Sequence, residues 1–218
     1  MIYSPLEDSL LLTEQVKKYA KNKRVLDIGA GDGIQAETAL KAEAKSVLAS
    51  DINHEVIEHL KNKGIKAIIS ELFSNIEDKF DLIIFNPPYL PRDKREDSES
   101  SRITSGGKKG DEIILRFLKS LNKYLAPEGV SLIVISSLTP KIRILFEMKK
   151  QKLSQRVLSS QKFFFEKIEV WEIKKDKLYF EDEIIGLYEK VITKFGSGAK
   201  IDAPKEHLGK KIYVLIRK

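Results

Sequence analysis

The chain has 218 residues, 42% of them hydrophobic, and a formal net charge of +7, which is enough apolar material for one well-buried α/β domain. It contains no cysteine, which excludes disulfides and thiolate metal sites, and His54, His59 and His207 lack the spacing of a zinc cluster, so no protein metal site is expected. No run of about 18 apolar residues occurs, and Glu7, Asp8 and Glu14 fall where a signal peptide would be acid-free, so a soluble, cytoplasmic protein with no membrane association is expected.

A first helix is expected over Leu6–Ala20, where Leu6, Leu10, Leu11, Val16 and Tyr19 recur at roughly a 3.6-residue period. The apolar run Arg24–Ile28 then ends in a glycine-rich segment, Gly29 to Gly33, followed by the alanine-rich helix former Ile34–Ala44. A second strand over Ser46–Ser50 closes on Asp51. A helix over His54–Asn62 and strands over Lys66–Ser70 and Phe80–Phe85 follow. Strands that alternate with helices predict a parallel, helix-covered sheet.

After Asn86-Pro-Pro-Tyr89 comes a charged, small-residue loop, Pro91–Gly110. Loops of this length inside compact domains are usually mobile and often functional. Next are a helix over Asp111–Leu125, a turn at Pro127–Gly129 and a strand over Val130–Ser136. The helix Lys141–Lys152 leads into two β-rich runs, Arg156–Phe165 and Lys167–Ile173, close enough in sequence to pair antiparallel at the end of the sheet. The catalytic-type domain is expected to span residues 1–173. Residues 174–218 are expected to be an extension packed on the same domain: an amphipathic stretch from Ile184 to Phe195, a flexible Gly196-Ser-Gly198 joint and a terminal strand-like Ile212–Ile216.

Three motifs carry chemistry. In Val25–Gly33 the glycines Gly29, Gly31 and Gly33, with Ala30 between them, let a ligand approach the backbone without Cβ clashes. Dinucleotide folds instead space their glycines G-x-G-x-x-G around a pyrophosphate. Here Asp27 precedes the loop, and a carboxylate repels a diphosphate but attracts the ammonium of an amino-acid moiety. That difference favours S-adenosylmethionine as the ligand.

Asp51, about 20 residues past the glycines, can accept both hydroxyls of a ribose; its bland alternative is a cap on the helix that follows. Ile52 continues that ligand wall. Glu71 and Leu72, just past the third strand, fall where an adenine ring is expected, although Glu71 alone would read as a solvated surface acid.

The third motif is Asn86-Pro-Pro-Tyr89. The prolines offer no N–H, so the loop presents the Asn86 side-chain oxygen and the Pro87 carbonyl as acceptors. Two adjacent acceptors suit an NH₂ group and turn its nitrogen toward an electrophilic methyl. Tyr89 adds a flat face for a planar substrate group. A plain proline turn closing a strand is the alternative.

Val25–Gly33, Asp51 and Asn86–Tyr89 resemble the class I amino-methyltransferases. Tyr3-Ser-Pro-Leu-Glu-Asp-Ser-Leu-Leu-Leu12 and Ser105-Gly-Gly-Lys-Lys-Gly110 resemble, more narrowly, the archaeal and eukaryotic branch of the HemK-like (PrmC-like) release-factor glutamine methyltransferases, over roughly residues 2–173. The resemblance implies a Rossmann-like fold with a seven-stranded, mostly parallel sheet, helices on both faces and a C-terminal antiparallel strand pair. It implies S-adenosyl-L-methionine on the Asp27–Gly33 loop, a lid formed by Pro5, Glu7, Asp8 and Ser9, and Asn86 and Pro87 gripping the glutamine amide of the Gly-Gly-Gln motif in a class I translation termination factor. It also implies a small zinc-binding activator protein paired along a sheet edge. The chain departs from that branch at Lys109 and Glu71, where acids and Asp or Asn respectively are common, and in its residues 174–218.

The competing acceptor is the exocyclic amine of adenine or another nucleic-acid base, which the same loop could hold after flipping. The net charge of +7 suits nucleic acid. However, the lysines are interleaved with glutamates rather than clustered, and no appended recognition domain is visible. A catalytically silent scaffold is the third reading, opposed by the intact acids and the Asn86 loop.

Overall fold

In the computed structural model, residues 7–89, 106–163, 166–176 and 190–210 are described. The chain divides into two compact units, Met1–Glu183 and Ile184–Lys218. No helix among the described residues is long and apolar enough to cross a membrane.

The first unit runs α1 (Glu7–Tyr19), β1 (Arg24–Ile28), α2 (Ile34–Lys41), β2 (Ser46–Asp51), α3 (His54–Asn62), β3 (Ala67–Ile69), β4 (Phe80–Phe85), α4 (Glu112–Tyr124), β5 (Leu125–Ser136), α5 (Lys141–Lys150), β6 (Leu153–Phe163) and β7 (Glu166–Lys175). The seven strands form one sheet in the order β3-β2-β1-β4-β5-β7-β6. Strands β3 to β5 are mutually parallel, whereas β7 is antiparallel to both β5 and β6. The strand order reverses between β1 and β4, and ligands of open α/β sheets bind at such switch points, beyond the carboxyl ends of the strands.

The central strands read as continuous apolar runs because both faces are covered. Val25, Leu82, Ile84, Leu132 and Val170 point to one face and pack with Leu12, Val16, Ala36 and Leu60 of α1, α2 and α3. Their sequence neighbours Leu26, Ile83, Phe85, Ile133 and Trp171 point to the other, against Ile114, Phe117, Leu121 and Ile144 of α4 and α5. Leu26, Phe117 and Trp171 are at most 2% exposed, so truncating any of them to alanine costs about 2–5 kcal/mol.

Two strands begin three or more residues before the sequence expectation. β5 begins at Leu125 rather than Val130, because Leu125 pairs with Phe80 before the register shifts to Leu82 opposite Val130; the expected Pro127–Gly129 turn is a bulge inside that strand. β6 begins three residues early, at Leu153, opposite Lys175.

In the second unit, β8 (Thr193–Phe195) pairs antiparallel with β9 (Gly198–Lys200), followed by a 3-10 turn over Lys205–His207. The expected helical stretch therefore ends in a strand at Phe195, and Gly196, with φ 59°, makes a hairpin turn rather than a flexible joint. The expected strand Ile212–Ile216 and the first half of the stretch that begins at Ile184 lie outside the described residues.

Candidate active site

The loop after β1 departs into the left-handed region at Gly29, Gly31 and Gly33. Gly33 is constrained twice: its φ is 89°, and a Cβ there would come 2.5 Å from Leu60 Cδ2 of α3. The Ala30 N–H donates to Ser50 O at 3.0 Å, which ties the loop to β2. Asp32 lies 3.6 Å from the Lys63 ammonium and 3.4 Å from His59 Nε2.

Asp27 is 2% exposed, and its Oδ2 accepts the Ala36 N–H of α2 at 3.0 Å. Burial pushes its carboxyl up to about 7, against the Ala36 hydrogen bond and with a smaller contribution from the Asp51 charge. A buried acid poised near neutrality beneath a glycine loop gains most from a cationic ligand group, which restores its charged form.

Asp51 accepts the Gly31 N–H on Oδ2 at 3.2 Å and the Asn53 N–H on Oδ1 at 2.9 Å. It does not cap α3. Asn53 does, accepting the Glu55 N–H at 3.0 Å, which leaves the Asp51 carboxylate spanning the glycine loop and the β2 terminus. Ile52 beside it is 69% exposed, a large apolar side chain offered at the rim of the loop. Asp51 is in register with Ile69, so the turn after β3 is its neighbour. There Leu72 is in the left-handed region, φ 51°, with its carbonyl held by Ser70 Oγ at 2.9 Å. Glu71 is exposed and paired with Arg116 Nη2 of α4 at 2.7 Å, and both line an open cleft with Lys119.

Asn86 leaves the end of β4 beside Gly29, since Phe85 is in register with Ile28. Its Nδ2 donates to Asp8 Oδ2 and to Ser9 Oγ, both at 3.2 Å. Its Oδ1 is buried and has no hydrogen-bond partner among the described residues. Pro87 is buried and Tyr89 is half-buried, with the Tyr89 hydroxyl donating to Asp8 Oδ2 at 3.4 Å. Buried polar atoms are almost always paired, so Asn86 Oδ1 is an acceptor waiting for a donor.

Of the expected lid, Asp8 and Ser9 are 6% and 2% exposed and lie against Asn86. Glu7 is exposed at the first residue of α1, and Pro5 lies outside the described residues. Of the Pro91–Gly110 loop, residues 106–110 are described. Gly106 packs on the Asn86–Tyr89 loop so closely that a Cβ would sit 2.6 Å from Pro88 O. The Lys109 N–H is held by the Glu112 carboxylate at 3.2 Å, so this segment joins the Asn86 loop to the start of α4. Sequence reasoning missed Gln35, 4% exposed, whose Nε2 donates to Ser9 O at 2.8 Å. A polar residue in the first turn of a helix carries no signal of its burial.

The site therefore combines a glycine cradle backed by a buried acid, a carboxylate across the loop, an exposed apolar side chain, and an orphaned amide oxygen at the neighbouring strand end. Those features could hold S-adenosylmethionine, with Asp27 available to its ammonium, Asp51 to its ribose, and Ile52 with Leu72 to its adenine.

Comparison with known proteins places the chain among methyltransferases. A family model described as the methyltransferase small domain matches residues 7–164, and another, provisionally described as a transposon-encoded protein (DUF2080), matches residues 171–218. A Methanocaldococcus jannaschii protein provisionally named as a protein N5-glutamine methyltransferase is 37% identical over 177 residues, covering 78% of this chain and 89% of that one. The release factor glutamine methyltransferase of Streptococcus pneumoniae is 31% identical over 134 residues, 55% of this chain and 47% of that one. Among solved structures, the E. cuniculi Mtq2–Trm112 complex, responsible for methylation of the eRF1 translation termination factor, shares the fold, with a TM-score of 0.67 and 24% identity over 80% of this chain and 99% of that one.

Proposed function

We propose that this chain, which belongs to the methyltransferase small domain family, methylates the side-chain amide nitrogen of a protein glutamine, in the Gly-Gly-Gln motif of a class I translation termination factor. The observation that carries this reading is the buried, unpartnered Oδ1 of Asn86, set beside the glycine loop by the pairing of Phe85 with Ile28. It is supported by the Methanocaldococcus jannaschii relative, named for glutamine N5-methylation and matched over 89% of its length.

S-adenosylmethionine supplies an electrophilic sulfonium methyl when bound. Asp27, the loop Gly29, Ala30, Gly31 and Gly33, Asp51, Ile52, Glu71 and Leu72 are the residues that would hold it. The chain's own task is placement. Asn86 Oδ1 accepts one hydrogen of the acceptor NH₂, and the Pro87 carbonyl accepts the other, so the nitrogen lone pair is directed rather than free to rotate. With the donor bound there, the amide nitrogen would form the N–C bond as the donor's C–S bond breaks, and the surplus amide proton would leave to water. An amide nitrogen is a poor nucleophile, so dehydration and orientation supply the rate, with no covalent enzyme intermediate.

A small partner protein of the zinc-binding kind, paired along a sheet edge, belongs to the same proposal. The edges of this sheet are β3 and β6, and strand addition uses the unpaired backbone groups of such an edge. An enzyme of translation factors would act in the cytoplasm.

The test separates protein from nucleic acid. Purified chain with labelled S-adenosylmethionine is given a Gly-Gly-Gln-containing termination factor in one arm and total nucleic acid in the other, each with and without a zinc-binding activator. Label on the glutamine supports the proposal; label on nucleic acid alone moves the acceptor to a base.

A further inference from the structure

We infer that Asp8 and Gln35 are positioning residues that fix which way the Asn86 amide faces, and that they do so by bolting the first turn of α1 to the helix that leaves the donor loop. The kinetic part of this inference rests on the proposed function above; its structural part does not.

An asparagine amide can turn end for end about its last torsion, exchanging Oδ1 and Nδ2 at little intrinsic cost. Only one of the two orientations leaves an acceptor for a substrate NH₂. Asp8 selects it. An ionised carboxylate can only accept, so the Asn86 atom 3.2 Å from Asp8 Oδ2 has to be the NH₂. The flipped amide would lose that charge-assisted bond and set oxygen against oxygen. Ser9 Oγ accepts a second hydrogen bond from the same Nδ2 at 3.2 Å. With both amide hydrogens directed at α1, Oδ1 is left buried and unpartnered.

Asp8 is itself fixed. Its Oδ1 accepts the Ser9 N–H at 2.6 Å, and it is 6% exposed. What holds this first turn in place is a side chain from another helix. Gln35 Nε2 donates to Ser9 O at 2.8 Å, and Thr13 Oγ1 lies 2.8 Å from the same carbonyl and 3.3 Å from Gln35 Oε1. Gln35 and Thr13 are 4% and 9% exposed, so the cluster is shielded from competing water. Gln35 immediately precedes Ala36, whose N–H is held by Asp27. A path of hydrogen bonds linked through adjacent residues thus runs from the buried acid under the glycine loop, through the start of α2 and the first turn of α1, to the Asn86 amide. Donor site and acceptor clamp share a frame.

The test begins with the full chain alone, by nuclear magnetic resonance of the Asn86 side-chain amide, in the wild type and in Asp8→Ala, Asp8→Asn and Gln35→Met. Slow hydrogen exchange at Asn86 Nδ2 is expected in the wild type, accelerated about tenfold or more in Asp8→Ala and Gln35→Met while backbone protection of the core strands is retained. Equal exchange in the wild type and Asp8→Ala overturns the inference, whatever the acceptor proves to be.

With the Gly-Gly-Gln termination factor as acceptor, kcat at saturating donor is expected to fall about 10- to 100-fold in Asp8→Ala, a larger change than any in the donor Kd. The double variant Asp8→Ala/Asn86→Ala is expected to be no slower than Asn86→Ala, because Asp8 acts through Asn86. Additive losses, or a loss confined to donor affinity, overturn the positioning role. Altered exchange without glutamine methylation by the wild type leaves the positioning role standing and overturns the proposed acceptor instead.

Discussion

Ile28 at the end of β1 is in register with Phe85 at the end of β4, so the glycine loop and Asn86 leave adjacent parallel strands side by side where the strand order reverses. The glycine loop and the Asn86 turn are therefore set by one backbone ladder. Loops alone do not have to find each other.

Asp51 bridges the Gly31 and Asn53 N–H groups at 3.2 and 2.9 Å and is the residue assigned to the donor ribose. Asp51→Ala is expected to raise the donor Kd about 10- to 100-fold, the worth of a hydrogen bond to a charged group. Near-normal turnover should return at saturating donor. Isothermal titration with S-adenosylmethionine checks the first expectation and steady-state kinetics the second.

Asp27 predicts a pH dependence whose sign is fixed by its environment. Its ordinary value is 3.8, and burial raises it to about 7 in the folded protein. Its contribution to stability is therefore fully present at low pH and is lost as pH rises from the lower value to the higher. A bound ammonium reverses the preference, so donor affinity is expected to increase with pH up to about 7, by at most about tenfold per pH unit. Asp27→Asn should flatten that slope, which titration in buffers of differing ionisation enthalpy would read directly.

Gly33→Ala places a methyl group 2.5 Å from Leu60 Cδ2 at a φ of 89°. Strain and overpacking together are expected to destabilise the protein by about 2–4 kcal/mol. Thermal unfolding of the full chain would show it, and an unchanged Tm would mean that the loop adopts another path.

Glu169 on β7 reports acid stability. Burial would raise its carboxyl, but hydrogen bonds from Lys141, Trp171 and Lys167 outweigh burial and hold it at about 2, below its ordinary 4.5. The stabilisation is present above 4.5 and is lost as pH falls toward about 2. It is on the order of 1–2 kcal/mol, since Lys141 and Lys167 partly face solvent and are screened. Denaturant midpoints measured between pH 5 and about 3 are expected to fall less steeply in Glu169→Gln than in the wild type.

The parts of this protein visible in its sequence are those written in local pattern. The apolar runs 24–28 and 80–85, the glycine spacing and Asn86-Pro-Pro-Tyr89 each encode a strand end and the turn after it. The strand order that puts them at a switch point is visible only in the structure. Other features depend on contacts that no local pattern carries. Asp51 has the look of a helix cap, and only the structure shows Asn53 in that role. Gln35 and Thr13 are ordinary polar helix residues until α1 packs against α2. Asp8 lies 78 residues from the Asn86 it contacts. At Phe195 the helical spacing of apolar residues was misleading, because the glycine that follows turns the chain into a hairpin.

The central claim is that Asn86 Oδ1 holds the acceptor NH₂ for methylation of a glutamine amide. The measurement that tests it most directly is tandem mass spectrometry of a Gly-Gly-Gln termination factor after reaction at saturating S-adenosylmethionine, with wild type and Asn86→Ala compared and the donor Kd of both determined. The expected result is one methyl group on the side-chain nitrogen of that glutamine, formed about 100-fold more slowly or not at all by Asn86→Ala, with donor affinity unchanged. A glutamine methylated at wild-type rate by Asn86→Ala, or left unmodified by the wild type while a nucleic-acid base is methylated, would contradict it.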